Sequence, residues 1–154
     1  MKLLIMLTCR KNMAGKLQIL VDLNVVIDVV QERQPFYTDS ARVLDAIVRQ
    51  EVRGLIAAPS ISTLFYVITR WRNRETAVAA ITGLLDVFII ATVDDEVVRK
   101  ALIWGWQDFE DAIQMGAALN AQVDYIVTRN KRDFAAQPVP VLNPAGMLAL
   151  LSQA

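Results

Sequence analysis

Four short, largely apolar runs, Leu17 to Val21, Leu55 to Ala58, Val87 to Ala91 and Tyr125 to Thr128, are separated by longer segments whose apolar residues recur three and four positions apart. Runs of this length are too short for helices, and their apolar residues follow one another instead of alternating with polar ones. That is the pattern of strands buried on both faces, as in a parallel sheet. The intervening segments are long enough to be crossover helices, which parallel strands require. A fifth run, Val139 to Leu142, lies between prolines and reads as an edge strand. The predicted architecture is α/β, three layers in the order α/β/α, around a parallel sheet of about five strands. A hydrophobic content of 55% against 21% charged residues fits a sheet covered on both sides. The chain of 154 residues is the size of one domain.

The helices are placed by their caps and breakers. Asp22-Leu23-Asn24 turns the first strand into a helix carrying Val25 to Val30, which closes before Pro35. Thr38 or Asp39 is expected to cap the second helix, with Ala41, Leu44, Ile47 and Val48 on one face, and Gly54 to end the connection into strand two. Pro59 starts the third, where Ile61, Leu64, Phe65, Ile68 and Trp71 share a face and Ser60, Thr63 and Arg70 lie towards another. A fourth runs from about Glu75 to Leu85, Asp94-Asp95-Glu96 opens a fifth, Asp108 caps a sixth reaching about Gln122, and the last begins at Pro144. Met1 to Thr8 is apolar but too short to span a bilayer before Arg10 and Lys11. Met13 precedes the first convincing strand, so residues 1–12 are expected to be a non-native or flexible extension and 13–154 a single domain. The lone Cys9 cannot form an internal disulfide, which makes the cytoplasm the default compartment, with no membrane attachment.

The chain has no histidine, which excludes Ser-His and Cys-His catalysis and histidine-ligated zinc. Sixteen basic residues balance sixteen acidic ones, so any attraction to nucleic acid has to be local. Ligands of parallel sheets bind at the carboxyl ends of the strands. Three acidic or amide-bearing segments are expected there: Asp22-Leu23-Asn24 after strand one, Asp108-Phe109-Glu110-Asp111 at the start of the sixth helix, and Thr128-Arg129-Asn130-Lys131-Arg132-Asp133 after strand four. Asp22 and Asp108 also read as helix caps, the last segment also reads as a polar loop, and Glu110 is expected to point elsewhere. Carboxylates crowded into one crevice repel unless a cation lies among them, and oxygen-only ligands suit Mg²⁺ or Mn²⁺. Such an ion suits hydrolysis of a nucleic-acid backbone, with Arg129, Lys131 and Arg132, or Arg70, Arg72 and Arg74, as local phosphate contacts.

Taken in order, these segments resemble the PIN domain from Leu17 to Leu150. Asp22-Leu23-Asn24 is similar to the family's Asp-Thr-Asn. Glu32-Arg33-Gln34-Pro35-Phe36-Tyr37, Asp108-Phe109-Glu110-Asp111-Ala112, and Thr128-Arg129-Asn130 with Asp133-Phe134 resemble features of one bacterial branch. The resemblance implies a PIN-like fold and a metal-dependent ribonuclease, the toxin of a VapC-type pair with RNA as substrate and an antitoxin as partner. By position, Asp22 and Asp111 are implied as the metal carboxylates and Asp133 as a further catalytic acid. Asn24, Thr63, Thr128 and Asn130 are implied as supporting groups and Asp108 as an outer acid. Thr63 stands where the family has an acidic residue, and Asn130 where many relatives have Asp. Both departures lower the charge available to a cation and motivate the alternative of a degenerate PIN module that binds RNA or protein without cleavage. A phosphoacceptor receiver domain is disfavoured because strand three ends in Ala91-Thr92 without an Asp, and a dinucleotide fold because no Gly-x-Gly-x-x-Gly follows strand one. Phe65, Tyr66 and Trp71 exceed what one small core absorbs and suggest a homodimer.

Overall fold

A computed structural model describes residues 15–134 and 138–153. The expectations on residues 1–12, Cys9 and Met13 lie outside the described residues. Five parallel strands, β1 (Gln18–Val21), β2 (Arg53–Ala57), β3 (Ile89–Ala91), β4 (Tyr125–Val127) and β5 (Val141–Leu142), form one sheet in the order β3-β2-β1-β4-β5. Among the described residues the helices are α1 (Leu23–Val30), α2 (Tyr37–Val48), α3 (Ala58–Trp71), α4 (Arg74–Val87), α5 (Asp95–Trp104), α6 (Phe109–Asn120) and α7 (Pro144–Leu151). A single 3₁₀ turn, Lys131–Phe134, follows β4. The predicted α/β/α sandwich is therefore the observed one.

The central strand shows why its run is apolar throughout. Ile19 and Val21 enter the core beneath α1, α2, α3, α4 and α7, whereas Leu20 points to the opposite core with Met115, Ala117 and Ala118 of α6. Both faces of β1 are dry, so neither tolerates a polar residue. Close approach of the covering layers needs small residues at two places. A Cβ on Gly54 would lie 2.7 Å from the Ile47 side chain of α2, and one on Gly116 2.9 Å from Val97 of α5.

Several boundaries differ from expectation. Helix α2 begins at Tyr37 with Phe36 at the cap position and no side-chain cap bond, which puts Thr38 and Asp39 inside its first turn. Its buried face is Ser40, Val43, Ala46 and Ile47, one position away from the expected stripe, and Val48 is exposed. Gly54 is part of β2, kept free of a side chain by Ile47, and Val87 ends α4 instead of opening β3. Ser60 is buried, on the same side of α3 as Leu64 and Ile68. Of the three surplus aromatics, Tyr66 and Trp71 are exposed and Phe65 is half-buried against the core, and guanidinium groups of Arg72 and Arg74 lie over the rings of Trp71 and Phe65. Among the described residues no helix is long and apolar enough to cross a membrane.

Candidate metal centre

The strand order reverses direction between β1 and β4, and that pair of carboxyl ends carries the first carboxylate. Asp22 occupies the cap position of α1, yet its side chain makes no capping bond. Its Oδ1 accepts from Gln114 Nε2 at 2.9 Å and its Oδ2 from Thr128 Oγ1 at 2.6 Å. With 5% of its surface exposed, the carboxyl is held by donors from β4's end and from α6, and the capping interpretation falls. Thr128, fully buried, is the hub of this arrangement. Its hydroxyl also accepts from Asn24 Nδ2 at 3.4 Å and from the Asn130 backbone N–H at 3.1 Å. Asn24 Oδ1 in turn accepts from the Arg129 N–H at 3.5 Å, so the two strand-end loops brace each other.

Helix α6 brings the second group. Asp108 is its N-cap and accepts from the Asp111 N–H at 3.2 Å, which fixes Asp108 as a structural cap at the rim of the site. Asp111 is buried, and its pKa is pushed from its ordinary 3.8 up to about 7, first by burial and then by the negative charges of Asp108, Asp22, Asp133 and Glu110. Glu110 was expected to point elsewhere. The structure instead places it within electrostatic reach of Asp22 and Asp108, and partial desolvation followed by those two charges raises its pKa. Asp133 sits in the 3₁₀ turn, whose form is fixed by its N–H donating to the Asn130 carbonyl and by the fully buried Phe134. Asn130 supports the site through its backbone, its side chain being exposed.

Several expected contributors are placed differently. Thr63 is exposed on α3, its hydroxyl donates to the Pro59 carbonyl at 3.4 Å, and among the described residues it makes no hydrogen bond to the acids. Arg129, expected as a phosphate contact, turns towards the core. Its Nε lies 3.0 Å from Oδ2 of the fully buried Asp28, and its guanidinium stacks 4.3 Å from the Phe36 ring centroid. Arg70, Arg72 and Arg74 are at the far end of α3 from the carboxyl edge where that helix starts, about 20 Å away at 1.5 Å per residue. Lys131 and Arg132 are exposed beside the acids, and Arg132 and Asp133 line the same cleft.

Sequence reasoning missed Gln114 and Asp28. Gln114 is 2% exposed and lies one turn after Asp111, within a run of small and apolar residues. A lone amide in such a run was the available signal, because a buried amide must be paired. Asp28 sits on α1 and carried no comparable signal, because its partner Arg129 is remote in sequence.

The donor set is made of hard oxygens, and the mutual repulsion felt at Asp111 is what a divalent cation would relieve. Among the described residues no three acidic, cysteine or histidine side chains converge at ligating geometry. Asp22 and Asp111 are the buried carboxylates at this edge that could contribute oxygens to such an ion, most of whose positions water would then fill.

A parallel sheet with paired carboxylates at its switch point belongs to the class of α/β proteins that bind their ligands at strand ends. Within that class, the profile of the PIN domain matches residues 18–132, and the chain belongs to the PIN domain family. No curated protein matches the sequence. Among solved structures, a toxin–antitoxin complex from Klebsiella pneumoniae is 20% identical with a TM-score of 0.63, covering 81% of this chain and 96% of the other. VapBC-1 from nontypeable Haemophilus influenzae is 14% identical with a TM-score of 0.65, covering 84% and 99%. VapC20 of Mycobacterium tuberculosis, a Sarcin-Ricin loop cleaving toxin, is 15% identical with a TM-score of 0.63, covering 77% and 94%. At these identities the likeness is one of fold.

Proposed function

We propose that this protein is a Mg²⁺- or Mn²⁺-dependent endoribonuclease, the toxin of a toxin–antitoxin pair. The observation that carries the reading is Asp22, oriented by Gln114 and Thr128 at the switch point beside a buried Asp111 that four other acids repel. A carboxylate held by two donors cannot rotate away, so its remaining lone pairs keep a fixed direction for a ligand. Asp22 and Asp111 would hold a divalent cation there, with Asp133 adding charge at the rim, and the ion would supply an activated water and charge neutralisation for phosphodiester hydrolysis. Asp108 fixes the start of α6 and thereby the position of Asp111, while Asn24, Thr128 and the Asn130 backbone lock the β4 loop. Lys131 and Arg132 remain free to meet substrate phosphates, a role that Arg129 has given up to Asp28. The antitoxin assignment draws on the fold shared with the toxin–antitoxin complex from Klebsiella pneumoniae and with VapBC-1.

A second reading, a PIN module that binds RNA or a protein without cutting, draws support from Thr63, which supplies no charge to the cluster. Cleavage of a fluorogenic RNA by purified protein in Mn²⁺, Mg²⁺ or EDTA separates the two. Metal-dependent cleavage lost in both Asp22→Asn and Asp111→Asn is the expected result. No cleavage by folded protein, with cleavage gained in Thr63→Glu, would establish the second reading instead.

A further inference from the structure

Beside the acids lies an open cleft of about 900 Å³ whose walls include Trp106, Phe109, Asp108, Glu110, Arg132 and Asp133. Its aromatic components are unusual. Phe109 is the first residue of α6, where it covers no core, and 46% of its surface faces solvent. Trp106 is held as a firm wall, stacked on Trp104 with centroids 5.6 Å apart and meeting Phe134 edge-on at 6.1 Å. A rigid indole and an exposed phenyl ring therefore flank one opening, within a few residues of Asp111 and Asp133.

From this arrangement we infer that the cleft is a subsite for one unpaired nucleobase, stacked on Phe109 and Trp106 and read by the carboxylates of Asp108 and Glu110. The inference rests on the nuclease reading for its place in function, and it narrows the substrate to single-stranded RNA or a loop. The charge pattern selects the base over the phosphate. Three carboxylates repel a phosphate inside the cleft, whereas they accept from the exocyclic amino groups of guanine, adenine or cytosine, which uracil lacks. Arg132 is the one cation among the lining residues and suits the neighbouring backbone phosphate. Aromatic side chains gain stacking only from bases that are free of a helix, so duplex RNA is excluded. The three carboxylates of the cleft, Asp108, Glu110 and Asp133, are among the acids whose charges act on Asp111, which ties the cleft to the acidic cluster.

Neutral nucleosides test the subsite without metal or cleavage. Tryptophan emission of a Trp71→Phe protein in EDTA is titrated with guanosine, adenosine, cytidine and uridine, and with N-acetyl-arginine amide as a cationic control. Saturable quenching by the three amino-bearing nucleosides, weakened about tenfold in Phe109→Ala and restored in Phe109→Tyr, is expected. Because Phe109 is exposed, the alanine variant keeps its fold, which a thermal melt verifies. In steady-state cleavage of single-stranded RNA with Mn²⁺, Phe109→Ala raises KM by a larger factor than it lowers kcat. No nucleoside quenching, or quenching unchanged in Phe109→Ala, overturns the subsite, and intact Mn²⁺-dependent cleavage in the same preparation shows that the nuclease reading survives. Quenching by the arginine amide alone also overturns it, in favour of a cationic peptide as occupant. Nucleoside quenching without any cleavage upholds the subsite and removes the nuclease.

Discussion

At the scale of single residues, Asp111 carries a cost that the fold does not compensate by itself. Its pKa rises from 3.8 to about 7, so between those values the folded protein holds a proton that the unfolded chain has released. Stability in EDTA should therefore fall as pH rises from about 4 to about 7 and level off above that. Asp111→Asn removes the share of that dependence that Asp111 contributes, leaving the smaller shares of Glu110 and Asp28, and should raise stability at pH 8 by several kcal/mol at most, at about 1.4 kcal/mol per pKa unit. Urea unfolding at pH 5 and pH 8 checks this; a wild type equally stable at both would contradict the crowding of charge around Asp111. Gln114 is the opposite case, a residue that stabilises the orientation of another. Gln114→Leu keeps the volume and deletes the donor to Asp22 Oδ1, so metal affinity or turnover should drop by about 10- to 100-fold. Metal titration read by protein emission, beside the cleavage assay, would expose a residue that only fills space, because affinity would then stay constant.

At the scale of elements, the most informative contact is the ion pair that ties α1 to the loop after β4. Asp28 is inaccessible and also accepts from Ser40 Oγ of α2 at 3.4 Å, so one carboxylate joins three elements behind the site. Burial raises its pKa while Arg129, then Arg33, oppose the rise. Removing one partner of such a pair leaves an uncompensated charge, and Asp28→Leu should cost about 3–5 kcal/mol. Replacing both partners, Asp28→Leu with Arg129→Met, should cost less than the single change, since no stranded charge remains. Equal losses in a chemical-denaturation comparison would mean that the pair is not coupled in solution.

At the scale of the whole molecule, the three layers meet at an edge where acidic charges crowd Asp111, and a bound cation would offset their repulsion. A ligand that binds the folded form alone adds RT ln(1 + [L]/Kd), about 2.7 kcal/mol at a hundredfold excess over Kd. For a domain of this size that corresponds to a rise in Tm on the order of 5–10 °C. Mn²⁺ should produce such a shift in wild type at pH 8 and none in Asp22→Asn. A shift that survives in the variant would locate the ion elsewhere.

The amino-acid sequence by itself determined the architecture and the membership of the site's edges. Runs apolar on both faces can only be interior strands, and a residue directly after such a strand must emerge at its carboxyl end, which is how Asp22 and Thr128 were legible. The Asp108 cap was legible because capping is local, decided by neighbours three residues away. What only the tertiary structure decided is which polar groups face one another across long separations. Gln114 meets Asp22 from 92 positions away, Arg129 turns to Asp28 and not to solvent, and Glu110 joins the acids because the first turn of α6 is set by its packing on the sheet. The face of α2 shifted for the same reason, since a helix's periodicity fixes a stripe while the neighbouring layer chooses its rotation. Local chemistry is written in consecutive residues; hydrogen bonds and charge repulsion between distant ones come into being only when the sheet closes the distance.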